Sequence, residues 1–439
     1  MFRGTRIEAV GLAAFAFAGA VCAQQPLGPE FQINTYTTND QRDPRVAVAP
    51  DGKFVVAWSS YGSTGSDALQ QSAQMRRFAA NLAPFGPETQ VNEFTHGWQR
   101  PSDVLFDDDG EFTVVWGSYH SNPGGSYVSA NARRFDANGS PLAGQFVVMS
   151  LAEYASGASA DSRATGGLVA VRSFDSGVVE VARVGNNGTP QGSFVLSRED
   201  HDLFGATVEV APSGEFLVAW SDAELGSPWD ATDIRLRRFH STGAPAGEVV
   251  EVTGPGALGV RHSTRVARNP DGDFLVVWSD AASPETDTSG FSIQARLFGP
   301  TGSPLGEQLQ VNDRTLGDQW SPQVAAAPDG SFVVTWYDYP GDVPGAGDGS
   351  GSGIRARHLS SEGTLTASSF AVNSFTTGDQ FGPSVAIRPD GDFLITWTSD
   401  GSTGSDSSGR SVQLRRFRPA LFADGFEGGD VGRWVSGGD

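Results

Sequence analysis

Apolar residues recur along this chain in short runs, each preceded by a polar turn and usually ended by tryptophan. The first is PDGKFVVAW at residues 50–58, and six related runs follow it, ending at Trp116, Arg172, Trp220, Trp278, Trp336 and Trp397. The end positions are spaced by 58, 56, 48, 58, 58 and 61 residues. So regular an interval predicts one supersecondary unit repeated seven times.

Each unit is predicted to contain four strands. In the fifth copy, residues 265–268 form the first strand, and the turn at 270–272 combines Pro, which presets φ, with Gly, which accepts positive φ. Residues 274–278 form the second strand, residues 292–298 alternate between apolar and polar as a third, and residues 308–311 form the fourth. The unit is therefore a four-stranded antiparallel meander.

The second strand of each unit is apolar on both faces. In the first copy Phe54, Val56 and Trp58 point one way, while Val55 and Ala57 point the other. A small sheet with two apolar faces needs a neighbour on each side, and radial stacking around an axis supplies both neighbours. The sequence therefore predicts an all-β fold, a β-propeller with seven blades.

The two ends of the repeat region predict how the ring closes. Residues 31–35 (FQINT) match the fourth strand of a repeat, such as residues 370–373 (FAVN), yet they precede the first copy. The seventh copy ends after its third strand at residues 412–417. We therefore expect the amino-terminal strand to complete the last blade, which an open array of repeats would not need.

The ends of the chain suggest export. Residues 1–23 contain Arg3, Arg6, an apolar run and Val21-x-Ala23, the pattern of a secretory signal peptide. The run is too short to span a bilayer. The only cysteine, Cys22, leaves with that peptide, unless it becomes a lipid-anchored terminus, which Val21 disfavours. The expected parts are a signal peptide at 1–23, the propeller at 24–418 and a tail at 419–439.

Charge limits the expected partners. The chain carries a net charge of −21, and removal of Arg3, Arg6 and Glu8 with residues 1–23 takes away +1, which leaves −22. So acidic a surface repels phosphate backbones and anionic lipids. We expect a secreted or surface-exposed monomer that binds a glycan or a protein, with no nucleic acid and no membrane insertion.

One face of the propeller is predicted to carry the ligand site. The connections between second and third strands and between blades are long and variable, and we call their side the loop face; short turns occupy the opposite, turn face. The between-blade loops repeat Asp-Gln with an aromatic residue nearby, at 40–41, 318–320 and 379–381, and Trp98-Gln99 is a related pair. The resulting candidates are Gln41, Trp98, Gln99, Gln319, Trp320, Gln380 and Phe381. Trp98, Trp320 and Phe381 would form a single platform on which sugar rings stack. The alternative is that Asp40, Asp318 and Asp379 only cap the turn that enters the first strand.

The loops between second and third strands also suggest a cation site. They are rich in Asp, Gly and Ser, and the hexapeptide GSTGSD occurs at both 62–67 and 401–406, in blades that are neighbours in a closed ring. Hard oxygen ligands for Ca²⁺ would come from Asp67, Asp342, Asp348 and Asp406. The alternative is that these residues are ordinary components of solvated turns. No cofactor is required by the sequence, and Ca²⁺ is the one candidate.

The third strand carries an arginine in six of the seven copies. These residues are Arg76, Arg133, Arg237, Arg296, Arg357 and Arg415. We expect them to join neighbouring blades, stacking on a second-strand tryptophan and pairing with an acid such as Asp222, Asp280 or Asp338. In the third copy Arg172 replaces the tryptophan, which indicates a decayed repeat or, alternatively, a point where a partner enters.

The chain lacks the familiar catalytic motifs. HExxH, GxSxG and CxxC are all absent from the sequence. With 51 acidic residues, a pair of carboxylates suited to glycoside cleavage could still converge on the loop face. A carbohydrate-active enzyme therefore stays open as an alternative.

The combined pattern DGxFVVxW, RxF, GxPxG and FxVN resembles the tandem repeats of large secreted or surface-attached bacterial proteins, some of which bind calcium. The resemblance covers residues 30–418. Residues 421–434 (LFADGFEGGDVGRW) resemble a short tail found at the ends of diverse exported bacterial proteins. These resemblances imply export and give no catalytic residues. Three functions follow, in order of preference: a non-catalytic propeller for binding or adhesion, a carbohydrate-active enzyme, and a calcium-stabilised envelope module.

Overall fold

The computed structural model describes residues 24–63, 65–67, 70–122, 125–151, 159–162, 167–174, 177–225, 232–254, 259–281, 287, 290–341, 347–402, 404–406 and 409–419. These residues form seven antiparallel sheets, each of which is one four-stranded blade, around a central channel. The fold is a seven-bladed β-propeller, as the repeat predicted. Within the described residues, no helix has the length and apolar character needed to cross a membrane.

The strands follow one another blade by blade. The amino-terminal strands are β1 (Gln25–Pro26) and β2 (Phe31–Gln32). Blade 1 contains β3 (Gln41–Val48), β4 (Phe54–Tyr61), β5 (Gln71–Phe78) and β6 (Thr89–Gln90). Blade 2 contains β7 (Trp98–Phe106), β8 (Phe112–Asn122), β9 (Gly125–Phe135) and β10 (Phe146–Leu151). Blade 3 contains β11 (Ser159–Ser162), β12 (Leu168–Ser173), β13 (Val179–Val184) and β14 (Pro190–Leu196).

The remaining four blades complete the ring. Blade 4 contains β15 (His201–Val210), β16 (Phe216–Glu224), β17 (Thr232–Phe239) and β18 (Val250–Glu251). Blade 5 contains β19 (Arg261–Arg268), β20 (Phe274–Asp280), β21 (Ser292–Phe298) and β22 (Leu309–Gln310). Blade 6 contains β23 (Asp318–Ala326), β24 (Phe332–Tyr339), β25 (Gly353–Leu359) and β26 (Phe370–Ala371). Blade 7 contains β27 (Gln380–Ile387), β28 (Phe393–Asp400) and β29 (Arg410–Arg418).

The amino-terminal strands close the ring. Phe31 and Gln32 of β2 pair antiparallel with Leu414 and Gln413 of β29, and β1 pairs with the end of the same strand. The backbone N–H of Ile33 extends this pairing by donating to the carbonyl of Val412 at 2.8 Å. The prediction that the first segment completes the seventh blade is confirmed.

The core consists of layers between adjacent blades. Val56 and Trp58 of β4 pack toward blade 7 against residues such as Leu414, whereas Val55 packs toward blade 2 in a cluster with Trp116. Five of the six second-strand tryptophans are fully buried, and Trp220 is 4% exposed. Each blade therefore buries both faces, because its second strand is apolar on both sides.

The third-strand arginines join blades through backbone carbonyls. In five cases Nη1 donates to a fourth-strand residue of the preceding blade: Arg76 to Ile33, Arg133 to Val91, Arg296 to Val252, Arg357 to Val311 and Arg415 to Val372. The guanidinium groups of four of them lie over a phenylalanine two residues later. The expected joining role is correct, but the expected tryptophan and aspartate partners were wrong.

The aspartates named as partners are used elsewhere. Asp222 pairs with Arg198, His201 and Arg235. Asp280 pairs with Arg261, and Asp338 lies near Arg314 and Gln319. These acids lie near the loop-face end of the second strand, whereas the third-strand arginines reach a neighbouring blade. The sequence spacing suggested that these aspartates and arginines would pair, but the direction of the strands separates them.

Blade 3 departs from the pattern. Its first strand, β11, has four residues, and Arg172 occupies the place of the tryptophan, opposite Glu180 of β13. The Arg172 side chain is buried. Burial lowers the pKa of Arg172, and the nearby Tyr119 and Glu180 oppose that shift. Entry of a partner at this blade stays a prediction.

A β-bulge in six of the seven first strands shapes the channel wall. The register with the second strand shifts in β3, β7, β15, β19, β23 and β27. At this place Asp43, Ser263 and Ser321 adopt positive φ of 57°, 58° and 51°, which non-glycine residues seldom do. Because a bulge re-aims the residues that follow, it sets which side chains face the channel.

Candidate functional site

The four glutamines predicted to bind a ligand are buried beneath the loop face. Gln41, Gln99, Gln319 and Gln380 each have 0% exposure. Each amide nitrogen donates to backbone carbonyls of the preceding between-blade loop. These side chains therefore hold the loops in place from below, and their described positions offer no surface to a ligand.

An asparagine at the end of the fourth strand organises each of these loops. In blade 5, Oδ1 of Asn312 accepts from the backbone N–H of Ile293 at 2.8 Å, and Nδ2 lies 2.9 Å from Oδ2 of Asp287 and 2.8 Å from Oε1 of Gln319. Asn34, Asn92 and Asn373 make related bonds in blades 7, 1 and 6. One side chain thus connects the third strand, the loop after the second strand and the next blade.

The aspartates predicted to bind Ca²⁺ belong to this asparagine network. Asp67, Asp348 and Asp406 each accept a hydrogen bond from an asparagine amide, and each lies in a different blade. Asp342 lies outside the described residues. Burial raises the pKa of Asp67 and of Asp348. Within the described part of the chain, no three His, Cys, Asp or Glu side chains converge on a common point.

The repeated hexapeptide has the same internal hydrogen bonds in both copies. Oγ of Ser63 accepts from the N–H of Gly65 and donates to the carbonyl of Asp67, and Ser402 makes the same two bonds in blade 7. The N–H of Asp67 donates to Oε1 of Gln90, which lies on the fourth strand of the same blade. The identical sequence therefore encodes the same hydrogen bonds among the described residues of the two loops.

The three predicted stacking aromatics occupy different blades. Trp98 of blade 2 is 50% exposed, and Phe381 of blade 7 lies 4.8 Å from the guanidinium carbon of Arg410. Trp320 of blade 6 is half-buried. Among the described residues, none of the three rings contacts another, so they do not form the single platform that the sequence predicted.

Trp320 instead belongs to an aromatic cluster that the sequence did not reveal. Its ring lies 4.2 Å from that of Phe291 and 4.9 Å from that of His262, with which it is stacked. The rings of His262 and Phe291 are 5.0 Å apart. We call His262, Phe291 and Trp320 the rim cluster, because His262 also lines the central cavity. It spans blades 5 and 6 on the loop face.

The central channel beside the rim cluster encloses a cavity of about 840 Å³. One wall position of the seven first strands contributes a polar side chain in every blade. We call these residues the channel ring: Arg45, Asp103, Ser159, Thr207, Arg265, Gln323 and Ser384. Each is paired with the residue just before the tryptophan position of its own second strand. The ring therefore lies at one level of the channel.

Part of the channel ring also connects neighbouring blades. Oδ2 of Asp103 accepts from the N–H of Ala160 at 3.0 Å, and Oγ of Ser384 accepts from the N–H of Val46 at 3.2 Å. Neighbouring first strands are not paired with each other. Polar side chains therefore satisfy N–H groups that would otherwise face the channel without a partner.

The electrostatics of the ring are set by three charged residues. Burial raises the pKa of Asp103 to about 6, although the nearby guanidinium groups of Arg45 and Arg265 oppose the shift. Burial, followed by repulsion from Arg45, lowers the pKa of Arg265 to about 10. Asp103 therefore changes charge near pH 6, whereas Arg265 stays cationic there.

Two further carboxylates lie deeper, toward the turn face. Asp161 accepts from the N–H of Val210. Burial raises the pKa of Glu209 well above its usual range, and the charge of Asp161 adds to the shift. Glu209 also borders a second cavity of about 580 Å³ at the turn-face end of the channel. Four carboxylates therefore line this cavity, those of Asp43, Asp103, Asp161 and Glu209, and burial raises the pKa of Asp103 and of Glu209.

The sequence contains a signal for this site that its repeats obscured. The pairs Arg45-Val46, Asp103-Val104 and Arg265-Val266 occupy the same position in their repeats, so charged residues recur at the start of an apolar stretch. They are hard to recognise as a site from the sequence, because a first strand that faces a channel need not be apolar.

Comparison with known proteins supports the fold alone. No family model matches the chain, and no curated protein matches it. Among solved structures, a protein of unknown function from Dyadobacter fermentans has a TM-score of 0.53 at 12% identity, covering 90% of this chain and 99% of that one. An α-L-arabinofuranosidase of Fusarium graminearum, solved with an iminosugar inhibitor, has a TM-score of 0.51 at 12% identity, covering 89% and 98%. The propeller domain of the Trilobed protease of Pyrococcus furiosus has a TM-score of 0.50 at 9% identity, covering 87% and 94%.

Proposed function

We propose that this protein is a saccharide-binding propeller whose ligand enters the loop-face mouth of the central channel. The observation that carries the proposal is the rim cluster, in which Trp320 stacks on His262 at the edge of the cavity. Aromatic rings beside a polar cavity suit a sugar, which has an apolar face and a polar edge. Binding or adhesion needs no catalytic residue.

The size of the cavity supports a small or extended organic ligand. At about 840 Å³ it falls within the range of ligand pockets, which is roughly 300 to 1,000 Å³. Its wall combines backbone, hydroxyl, amide and charged groups from all seven blades. A ligand that fills it would contact several blades at once, which favours selectivity for shape. A flat protein partner would reach only the rim.

A glycan-binding screen on the mature protein tests the proposal. Binding should be weakened about tenfold or more by Trp320→Ala, since stacked aromatic contacts contribute on the order of 1 kcal/mol beyond the buried area. Phe85→Ala is the matched control, because Phe85 is 48% exposed and lies on the turn face. Equal binding by both variants, or no binding to any glycan, would reject the rim cluster as the site.

A carbohydrate-active enzyme is the second candidate, and Asp103 is the observation that favours it. A carboxyl group with a pKa near 6 holds its proton at mildly acidic pH and suits a general acid. The arabinofuranosidase with a similar fold acts on a sugar, but at 12% identity that likeness concerns the fold. Incubation with each bound glycan, followed by detection of released product, separates the two functions. Asp103→Asn should abolish release if Asp103 is the acid.

We also propose export, because residues 1–23 have the pattern of a signal peptide and the tail resembles that of exported proteins. A secreted or surface location suits a propeller that binds an external glycan. A calcium-stabilised envelope role is the third proposal. It draws on the Asp-rich loops and on the resemblance of the repeats to calcium-binding ones.

A further inference from the structure

We propose that the channel ring binds an oxyanion between the guanidinium groups of Arg45 and Arg265. The two arginines belong to blades 1 and 5, and both line the central cavity. The charged members of the ring are these two cations and the single carboxylate of Asp103. With Asp103 ionised, this level of the channel keeps one positive charge in excess, within a protein whose net charge is −21.

Both guanidinium groups retain donors that can face a ligand. Arg45 donates from Nε to the carbonyl of Ser102 at 2.7 Å and from Nη1 to that of Pro44 at 2.9 Å. Arg265 donates from Nη1 to the carbonyl of Thr264 at 2.8 Å. Within the described part of the chain, neither arginine has an ion pair with a carboxylate, and Nη2 of each lacks a hydrogen-bond partner. These hydrogen bonds fix the two side chains and leave the Nη2 edge of each guanidinium group available to a ligand.

The repulsion between Arg45 and Arg265 indicates that the site lacks a full negative counter-charge. The charge of Arg45 contributes to the lowered pKa of Arg265, so the two guanidinium groups interact across the channel. Holding like charges together away from bulk water costs free energy unless a counter-charge is present. Asp103 supplies only part of it. A bound oxyanion would supply the remainder and accept hydrogen bonds from both planar groups.

The rest of the ring fits an oxyanion as well. Ser159 and Thr207 place hydroxyl groups 3.4 Å apart on the same level, and Gln323 adds a primary amide. Hydroxyl and amide hydrogens can complete the coordination of a carboxylate or a sulfate group. The inference that this group belongs to a saccharide rests on the proposed function. The oxyanion site itself does not, since it is tested with an inorganic anion.

Other ionisable groups along the channel must be considered in the pH response. Asp43, Arg100 and His262 line the channel toward the loop face, and Asp161, Glu209 and Arg268 lie toward the turn face. Burial lowers the pKa of His262, so its imidazole loses its charge at a lower pH than an exposed histidine does. Asp103 is the carboxylate next to both arginines, and its charge opposes binding of an anion.

Calorimetric titration of the mature protein with sodium sulfate, at constant ionic strength set with chloride, tests the site. We expect one sulfate per chain, and Arg265→Gln should weaken it about tenfold or more, as expected for a lost hydrogen bond to a charged group. Arg237→Gln is the matched control, since Arg237 donates to Gly247 on the outer part of its blade. Without sulfate, Arg265→Gln should unfold at the same temperature as wild type or higher, because it removes a repulsion. A lower unfolding temperature with unchanged sulfate affinity would make Arg265 merely structural and overturn the proposal.

Asp103→Asn gives an independent test that predicts a gain. Its amide oxygen can still accept from the N–H of Ala160, while the opposing charge is removed. Sulfate should bind this variant several-fold more tightly than wild type at about pH 8, and the wild-type affinity should rise as the pH falls through about 6. The variant should lose most of that pH dependence. Unchanged affinity at both pH values would contradict the site.

The saccharide class is tested by three ligands of similar size: an oligogalacturonate, a sulfated oligosaccharide and a neutral oligosaccharide. We expect the two anionic ligands to bind more tightly than the neutral one and to lose that advantage in Arg265→Gln. Sulfate binding with indifference to all three sugars would leave the oxyanion site standing and reject the proposed saccharide function. Neutral sugar binding that depends on Trp320, without any response to anions, would reject the oxyanion site alone.

Discussion

The backbone N–H of Asp406 donates to Oε1 of Gln32 at 3.0 Å, although the two residues are 374 positions apart in the chain. Nδ2 of Asn34 donates to Oδ2 of the same aspartate at 2.7 Å. In blade 1, Gln90 and Asn92 bind Asp67 in the same way. The closing strand therefore carries the side-chain bonds of an ordinary fourth strand, so ring closure is encoded in the repeat itself.

A disulfide between the closing strand and blade 7 should form readily. Gln25 and Arg418 are paired across β1 and β29, and the mature chain would contain no other cysteine. Oxidation of the double variant Gln25→Cys, Arg418→Cys should raise the free energy of unfolding by up to about 5 kcal/mol, because the bond constrains the unfolded chain. Urea denaturation with and without reductant measures it. A control that combines Gln25→Cys with Ser241→Cys should form no bond within a monomer.

The second-strand tryptophans should be the largest single contributors to stability. Trp278 is fully buried between blades 4 and 5, and Trp278→Ala should lower the free energy of unfolding by about 3 to 5 kcal/mol. Trp98 is 50% exposed, and Trp98→Ala should cost less than about 1 kcal/mol. Chemical denaturation compares the two. Similar losses in both variants would show that Trp278 is not packed between blades.

Stability should depend on pH through Asp103. Its pKa rises to about 6 in the folded protein, above the value of about 3.9 in an unfolded chain, so folding favours the protonated form. The contribution of protonated Asp103 to the free energy of unfolding is fully present below about pH 4 and is lost as the pH rises through about 6. Asp103→Asn should therefore raise the unfolding temperature at about pH 8 more than at about pH 5. Thermal denaturation at both pH values measures this, and a larger gain at the lower pH would contradict it.

Calcium should have little effect on the unfolding temperature. Oδ2 of Asp67 accepts from the Nδ2 of Asn92 at 2.9 Å, and Asp406 is bound in the same way by Asn34. Each carboxylate thus already accepts a hydrogen bond from an asparagine at the end of the fourth strand of its own blade. Thermal denaturation in Ca²⁺ and in chelator should coincide, because a ligand bound only by the folded state must raise the transition. A clear rise in Ca²⁺ would instead support the calcium-stabilised envelope module.

Export should remove residues 1–23. Mass spectrometry of the secreted protein should give a chain that begins at Gln24, and Cys22→Ser should leave both the mass and the yield unchanged. Expression in an export-competent bacterial host provides the sample. A lipid-modified chain that begins at Cys22 would show that the lipoprotein alternative is correct.

The sequence predicted the fold well because the fold is a repeat. Seven copies of an apolar strand, six of them ended by tryptophan, indicate seven equivalent sheets, and a fourth strand without its own blade at residues 31–35 indicates the closure. Both inferences use only the order and period of local elements. The second-strand residues, such as Val55 and Val56, then pack as their alternation requires.

The candidate site was predicted less well because it depends on which neighbours the ring brings together. Gln319 and Asp67 look like exposed loop residues in sequence, but Asn312 and Asn92, at the ends of two fourth strands, hold them in buried hydrogen bonds. Arg45 and Arg265 lie 220 positions apart, and only the curvature of the ring places them on one channel wall. No local sequence pattern indicates that these two arginines line the same channel.

A crystal structure of the mature protein with its tightest ligand from the glycan screen tests the central claim most directly. The predicted result is a saccharide in the loop-face mouth of the channel, in contact with Trp320 and His262 and extending toward Arg265. A ligand bound at the outer edge of a blade or on the turn face, with the channel filled only by water, would contradict the proposed function.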